Sequence, residues 1–112
     1  MSQKYESSEI AHPKYPWLHR VRALWEFRPG VRPGDLGGFV QSEENLSQDG
    51  TCWIFDEACV CDDAFVDQQA TVSGAAVVRG SALASGRVMI RDSSVIDDHA
   101  IVMAGLVKGH AH

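Results

Sequence analysis

A six-residue period runs through residues 57–80, whose sequence is EACVCDDAFVDQQATVSGAAVVRG. Alanine occupies positions 58, 64, 70 and 76, and valine occupies positions 60, 66, 72 and 78. An α-helix repeats every 3.6 residues and a β-strand every two, so neither element alone produces this spacing. Written in sixes from Ile54, the register continues without an insertion through nine hexads to Val107. The period predicts a chain of short strands joined by regular corners.

The residue types within each hexad support this interpretation. The first position holds Ile or Val in all hexads but one, and the fifth holds a small residue in most of them. Because alternate residues of a strand face the same side, these two positions point inward together. The third position is Asp, Gly or Gln in eight hexads, and Asp and Gly suit the unusual backbone angles of a corner. The pattern predicts an all-β fold in which successive coils stack about 4.8 Å apart.

Three hexads in each coil give about three coils, at residues 54–71, 72–89 and 90–107, after an irregular start at 46–53. A solenoid needs a covered end, because a terminal coil exposes unpaired strand edges. We therefore expect residues 1–50 to form an N-terminal arm and cap, 51–107 the solenoid and 108–112 a flexible tail. Within the cap we expect a strand at 24–27, turns over 28–38 and an entering strand at 39–40.

The opening LGGFVQSEENLSQDGTCWIFDEACV, residues 36–60, resembles that of YdcK-like phage and prophage solenoid proteins. The shared features are Gly-Gly-aromatic-Val, Asn-Leu-Ser and Cys-Trp-Ile, and the likeness extends over residues 23–107. The hexads themselves resemble the hexapeptide repeat of left-handed β-helices. The resemblance implies a short single-stranded left-handed β-helix, in a group that includes possible transferase relatives.

The sixth position of each hexad is expected to face solvent, and most of its residues are apolar. Residues 18 apart stack vertically and form three apolar stripes. These are Phe65–Leu83–Ile101, Cys59–Val77–Val95 and Trp53–Thr71–Met89–Val107. A monomer seldom exposes such large apolar patches, so we expect a homodimer or homotrimer through Phe65, Leu83 and Ile101. The alternative is that Phe65 and Trp53 dock the N-terminal arm.

Acidic residues concentrate where the chain enters the solenoid. The net charge is −5, and no Lys or Arg occurs between Pro33 and Val78. The candidate partner-binding residues are Glu43, Glu44, Asp49, Asp56, Glu57, Asp62, Asp63 and Asp67. An acidic rim repels phosphate and is not expected to bind nucleic acid directly, but it suits a basic protein surface. The alternative is a solvated end that resists aggregation.

Catalytic and metal-binding patterns are weak in this sequence. An acyltransferase would need a histidine as general base, and the best candidate is His99, beside Asp97 and Asp98. The other histidines lie in the expected cap or tail, and no inserted loop builds a pocket for a cofactor. The three cysteines, at 52, 59 and 61, match neither a zinc spacing nor a disulfide framework. We expect no enzyme activity, no cofactor and no metal.

These observations favour a non-enzymatic phage or prophage accessory protein that acts by protein binding. The expected partner is a host protein or ribonucleoprotein complex with a basic surface, inhibited in the manner of an anti-CRISPR protein. The alternatives are a self-assembling structural solenoid and an acyltransferase relative. The N-terminus has no signal-peptide pattern and no apolar run is long enough for a membrane helix, so we expect the bacterial cytoplasm and no membrane partner.

Overall fold

The computed structural model describes residues 3–103 and the backbone of 106–107. The chain is all-β and forms a solenoid, as the hexads predict, and the solenoid has about four turns. Three longer strands come first: β1 (Tyr5–Ala11), β2 (His19–Ala23) and β3 (Leu36–Val40). A 3-10 turn, η1, follows at Glu43–Asn45.

Ten two-residue strands then form the coils in the described part of the chain. They are β4 (Trp53–Ile54), β5 (Cys59–Val60), β6 (Phe65–Val66), β7 (Thr71–Val72), β8 (Val77–Val78), β9 (Leu83–Ala84), β10 (Met89–Ile90), β11 (Val95–Ile96), β12 (Ile101–Val102) and β13 (Leu106–Val107). Each strand pairs in parallel with the strand 18 residues away, except that β10 and β13 are 17 residues apart. The solenoid therefore has three faces: face A (β5, β8, β11), face B (β6, β9, β12) and face C (β4, β7, β10, β13).

The interior consists of the residues predicted to point inward. The valines at 60, 66, 72 and 78 and the alanines at 58, 64, 70 and 76 are at most 1% exposed. Ser94, a polar residue at the fifth position, is also buried, and its hydroxyl donates to the carbonyl of Arg91 over 2.7 Å. The pairing of small with β-branched residues suits a narrow interior that must be closely packed.

Every corner between residues 54 and 101 turns at the third position of its hexad. The eight residues there have φ between 56° and 71°: Asp56, Asp62, Gln68, Gly74, Gly80, Gly86, Asp92 and Asp98. Two of the aspartates also bind the coil below. Asp56 Oδ2 accepts from Gly74 N over 3.0 Å, and Asp62 Oδ2 accepts from Gly80 N over 3.1 Å. The corner aspartates therefore join coils as well as turn the chain.

Parallel stacking begins earlier than the expected boundary at residue 51. Phe39 in β3 pairs with Cys59, and Leu46 forms a bridge with Val66, so each is 20 residues from its partner. The entering strand expected at 39–40 is confirmed, and it adds a turn to the expected three. Asn45 joins this turn to the next, because its buried side-chain amide donates to the carbonyls of Asp62 and Ala64.

The cap differs from the sequence-based expectation. Its strands are β1 and β2, which pair antiparallel with each other, and β2 then pairs antiparallel with β3. The prediction of a strand at 24–27 is wrong, because β2 ends at Ala23 and residues 24–27 form no strand. The turns expected over 28–38 are wrong at their end, because β3 begins at Leu36. Phe27 instead packs edge-on against Trp53, with 5.0 Å between ring centroids.

Polar side chains anchor the cap to the first turn. Lys4 is 1% exposed, and its Nζ donates to the carbonyl of Cys52 over 2.8 Å and lies 3.2 Å from Cys52 Sγ. Gln48 Oε1 accepts from the backbone amides of Lys4 and Tyr5. The Tyr5 hydroxyl lies 2.6 Å from the carbonyl of Leu46. These bonds satisfy buried groups that would otherwise destabilise the cap. The tail expected at 108–112 lies outside the described residues.

Candidate functional site

The predicted acidic residues occupy different parts of the first turns rather than one continuous rim. Asp56 and Glu57 lie at the corner between faces C and A, and Asp62 and Asp63 at the corner between faces A and B. The turn η1, which carries Glu43 and Glu44, lies above this second corner, because it connects β3 on face A to Leu46 beside face B. Asp49 precedes face C, and Asp67 lies on the chain that leaves β6 on face B.

Several of these acids already have partners within the chain. Glu57 forms an ion pair with Arg20, whose guanidinium also donates to the carbonyl of Asp56 over 3.0 Å. Glu43 Oε2 accepts from the amide of Ser7 over 3.1 Å. One carboxylate oxygen of Asp67 is buried without a hydrogen-bond partner among the described residues. Together with the corner bonds of Asp56 and Asp62, these contacts give much of the acidic set a structural role.

Three exposed carboxylates share the corner between faces A and B: Glu44, Asp63 and Asp98, here called the corner acids. No residue in the described part of the chain donates a hydrogen bond or forms an ion pair with their carboxylates. They span three coil steps, or about 15 Å. Asp98 is absent from the sequence-based set, although its position 36 residues after Asp62 in an unbroken register places it two coils below at the same corner.

The sixth-position residues divide according to what the cap covers. Trp53 and Cys59 are buried, which corrects the expectation that they face solvent. Tyr5 and Phe27 cover Trp53, and Leu18 and Phe39 pack with Cys59. On face B, Phe65 and Leu83 are half-buried and Ile101 is 65% exposed. The predicted interface residues therefore lie on a face whose lower end is open, and self-association stays a prediction.

A cleft lies between face A and the loop that joins β1 to β2. Its volume is about 280 Å³, and its walls combine aromatic, thiol and charged groups. The lining residues are Tyr15, Trp17, Leu18, Cys59, Cys61, Asp62, Val77 and Arg79. Tyr15 and Trp17 are 44% and 57% exposed, although they belong to the cap. An exposed tryptophan beside a cleft is a candidate contact for a ligand, and only the structure shows that it is exposed.

The two thiols in the cleft are protonated at neutral pH. Burial raises the pKa of the Cys59 thiol to about 11, and the negative charges nearby act in the same direction. Burial, with Asp62 nearby, likewise raises the pKa of the Cys61 thiol to about 11. Since the thiolate is the nucleophile and the metal ligand, neither sulfur is activated for chemistry.

His99 lies exposed at the corner between faces A and B, at the position expected from the hexads. His12 serves the cap instead, because its Nδ1 accepts from the amides of Lys14 and Tyr15. The described residues contain no group of three or more His, Cys, Asp or Glu side chains arranged to hold a metal ion. The expectation of no catalysis stays a prediction, and His110 and His112 lie outside the described residues.

No protein-family model matches the chain, and no curated protein matches it. The likeness to YdcK-like proteins therefore stays a prediction from residues 36–60. Among the described residues, no helix has the length and apolar character needed to cross a membrane.

Proposed function

We propose that the protein acts without catalysis, by binding a protein with a basic surface through the corner acids. The observation that carries this proposal is the placement of Glu44, Asp63 and Asp98 on one corner, exposed and unpaired by the described residues. Carboxylates aligned over about 15 Å present a negative potential that steers a basic partner and repels phosphate.

The partner that fits this surface is a nucleic-acid-binding protein or ribonucleoprotein complex of a bacterial host. Its basic surface normally contacts phosphates, and the corner acids would compete for the same Lys and Arg side chains. An inhibitor of this kind needs no active site, which agrees with the raised pKa of both cleft thiols. The anti-CRISPR class of function is the specific form of this proposal.

The test is capture from a bacterial lysate by the tagged wild-type protein and two matched variants. The corner variant carries Glu44→Gln, Asp63→Asn and Asp98→Asn. The control variant carries Glu9→Gln, Glu26→Gln and Asp92→Asn, which removes the same number of charges elsewhere. Asp62 is left unchanged, so that its bond to Gly80 N is the same in all three proteins.

We expect the wild type and the control to retain the same nucleic-acid-binding protein, which elutes as salt rises and is displaced by added RNA or DNA. The corner variant is expected to lose it. Equal retention by all three proteins, or retention that salt does not weaken, would refute the proposal.

A self-assembling solenoid is the second candidate, favoured by the exposure of Ile101 at the lower end of face B. Light scattering on Leu83→Lys tests it, with Met89→Lys on face C as the control. If the protein assembles through face B, the molecular mass in solution should fall for Leu83→Lys and stay unchanged for Met89→Lys. A monomeric wild type would remove this candidate.

A further inference from the structure

The cleft beside face A has one wall made of aromatic rings. Tyr15 and Trp17 stand next to each other on the loop between β1 and β2, with 5.5 Å between ring centroids. The opposite wall is formed by two neighbouring strands. Cys59 and Cys61 lie on β5 and the residue after it, and Val77 and Arg79 lie on β8 and the residue after it. Asp62 closes the cleft on the side of the corner acids. The cleft therefore opens next to the surface proposed for the basic partner.

The aromatic wall is held in place before any ligand arrives. His12 N donates to the carbonyl of Leu18 over 2.8 Å, and Leu18 N donates to the carbonyl of Tyr15 over 2.8 Å. The His12 ring packs edge-on against Phe39, with 4.6 Å between centroids. Because the loop is fixed at both ends, a ligand would bind without first ordering it.

The charges around the cleft favour a cation. The charged residues of its lining are Asp62 and Arg79, and the positive charge of Arg79 is already paired with Asp97, 3.3 Å away outside the lining. The thiols of Cys59 and Cys61 add no charge, since burial raises the pKa of each. An anion would share Arg79 with Asp97 and would meet the carboxylate of Asp62.

We infer that this cleft receives an arginine side chain of the basic partner. A planar guanidinium stacks on the exposed face of Trp17 or Tyr15 and directs its N–H groups toward the Asp62 carboxylate. Asp62 uses Oδ2 for Gly80 N, which leaves its other oxygen for the ligand. The inference rests on the proposed function, and it names the residue type that anchors the partner.

The test titrates the whole protein with the peptide acetyl-Gly-Arg-Gly-amide and follows the indole N–H resonances by NMR. A Trp17→Phe variant assigns the Trp17 signal, and Trp25, which is 46% exposed elsewhere on the cap, is an internal control. The comparison peptides replace arginine with citrulline, which is planar and neutral, or with lysine. The matched variants are Asp62→Asn and Asp92→Asn. Both change an exposed left-handed aspartate at a corner of the coils, and only Asp62 lines the cleft.

We expect the arginine peptide to shift the Trp17 resonance saturably while Trp25 stays in place, and the citrulline peptide to have no effect. Asp62→Asn keeps an acceptor for Gly80 N, yet it should weaken binding about fivefold. Asp92→Asn should change it less than twofold. An unmoved Trp17 signal, or equal binding of the lysine or citrulline peptide, would overturn the inference. These outcomes are independent of lysate capture, so failure here leaves the role of the corner acids to its own test.

Discussion

In the coils, the first position of each hexad is buried from Ile54 to Ile96 and the fifth from Ala58 to Ser94, and one corner geometry recurs eight times. In the cap, each buried side chain has a contact of its own: Lys4 with Cys52, Tyr5 with Leu46 and Phe27 with Trp53. We therefore expect the coils to tolerate substitution by a residue that the repeat uses at an equivalent position. The cap has no equivalent positions, so its fit to the first turn depends on individual contacts. We therefore expect substitutions at the junction of the two regions to lower the free energy of unfolding the most.

The largest effect is expected at Gly38, where β3 joins the cap to the coils. A Cβ there would overlap the carbonyl of Ala58 and the side chain of Ile54, both in the packed interior. Gly38→Ala should lower the free energy of unfolding by about 3 kcal/mol, because neither neighbour has space to move. Urea unfolding followed by circular dichroism measures the change.

The control for this variant is Gly30→Ala, in the loop between β2 and β3. Gly30 has a φ of 89° but no atom within 4 Å of the added Cβ, so only backbone strain of about 1 kcal/mol is expected. If both variants lose the same stability, the junction is no more tightly packed than an exposed loop, and the contrast between the regions is lost.

A smaller effect is expected in alkaline solution, where the cap loop covers the thiols of face A. Cys59 and Cys61 have a pKa near 9.0 when unfolded and about 11 when folded. The folded state therefore binds more protons between pH 9 and 11, and stability that is complete below pH 9 falls as the pH rises through this window. Tyr5, with a pKa raised by burial, acts in the same direction. Lys4, with a pKa lowered by burial, opposes it.

The measurement is the urea midpoint at pH 8 and pH 10.5 for the wild type and for Cys59→Ala/Cys61→Ala. The double variant should lose less stability over this interval, because the two thiols no longer titrate. An equal loss in both proteins would show that the cap loop does not shield the thiols in solution.

The smallest effect is expected within the coils, at Gln68. It is a Gln at a third position with a φ of 57°, where the other corners have Asp or Gly. Gln68→Gly should raise the free energy of unfolding by about 0.5 kcal/mol, since relief of the left-handed strain exceeds the entropy that glycine adds to the unfolded chain. Gln69→Gly, one residue later, has no such strain to relieve and should destabilise. Thermal unfolding of both variants decides whether the corners are interchangeable.

The coils were predictable from sequence because one physical requirement, a narrow interior filled by two residues per hexad, is repeated nine times. The third-position corners were predictable for the same reason. The hairpin of β1 and β2 was not, because β1 buries only Tyr5 and Ser8 and shows no alternation. Sequence alone also did not separate Trp53, which is buried, from Trp17, which borders the cleft.

For the candidate site, the sequence located acidic residues but not their roles. Asp62 and Asp63 are adjacent and chemically identical, yet only the carboxylate of Asp62 accepts a hydrogen bond from the next coil. That distinction depends on the left-handed backbone of Asp62, which directs its carboxylate to Gly80 N. The pairing of Glu57 with Arg20 is a contact across 37 residues that no local pattern indicates.

The corner residues also determine how this solenoid can change length. At two corners the stacked third positions alternate from coil to coil: Asp56, Gly74 and Asp92 at one, and Asp62, Gly80 and Asp98 at the other. A Cβ at Gly74 would come within 2.9 Å of the carbonyl oxygen of Asp92 below it. Duplication of one 18-residue coil would place either Asp over Asp, which crowds the corner, or Gly over Gly, which loses the hydrogen bond between coils. Duplication of 36 residues preserves the alternation, so the natural unit of growth is a pair of coils.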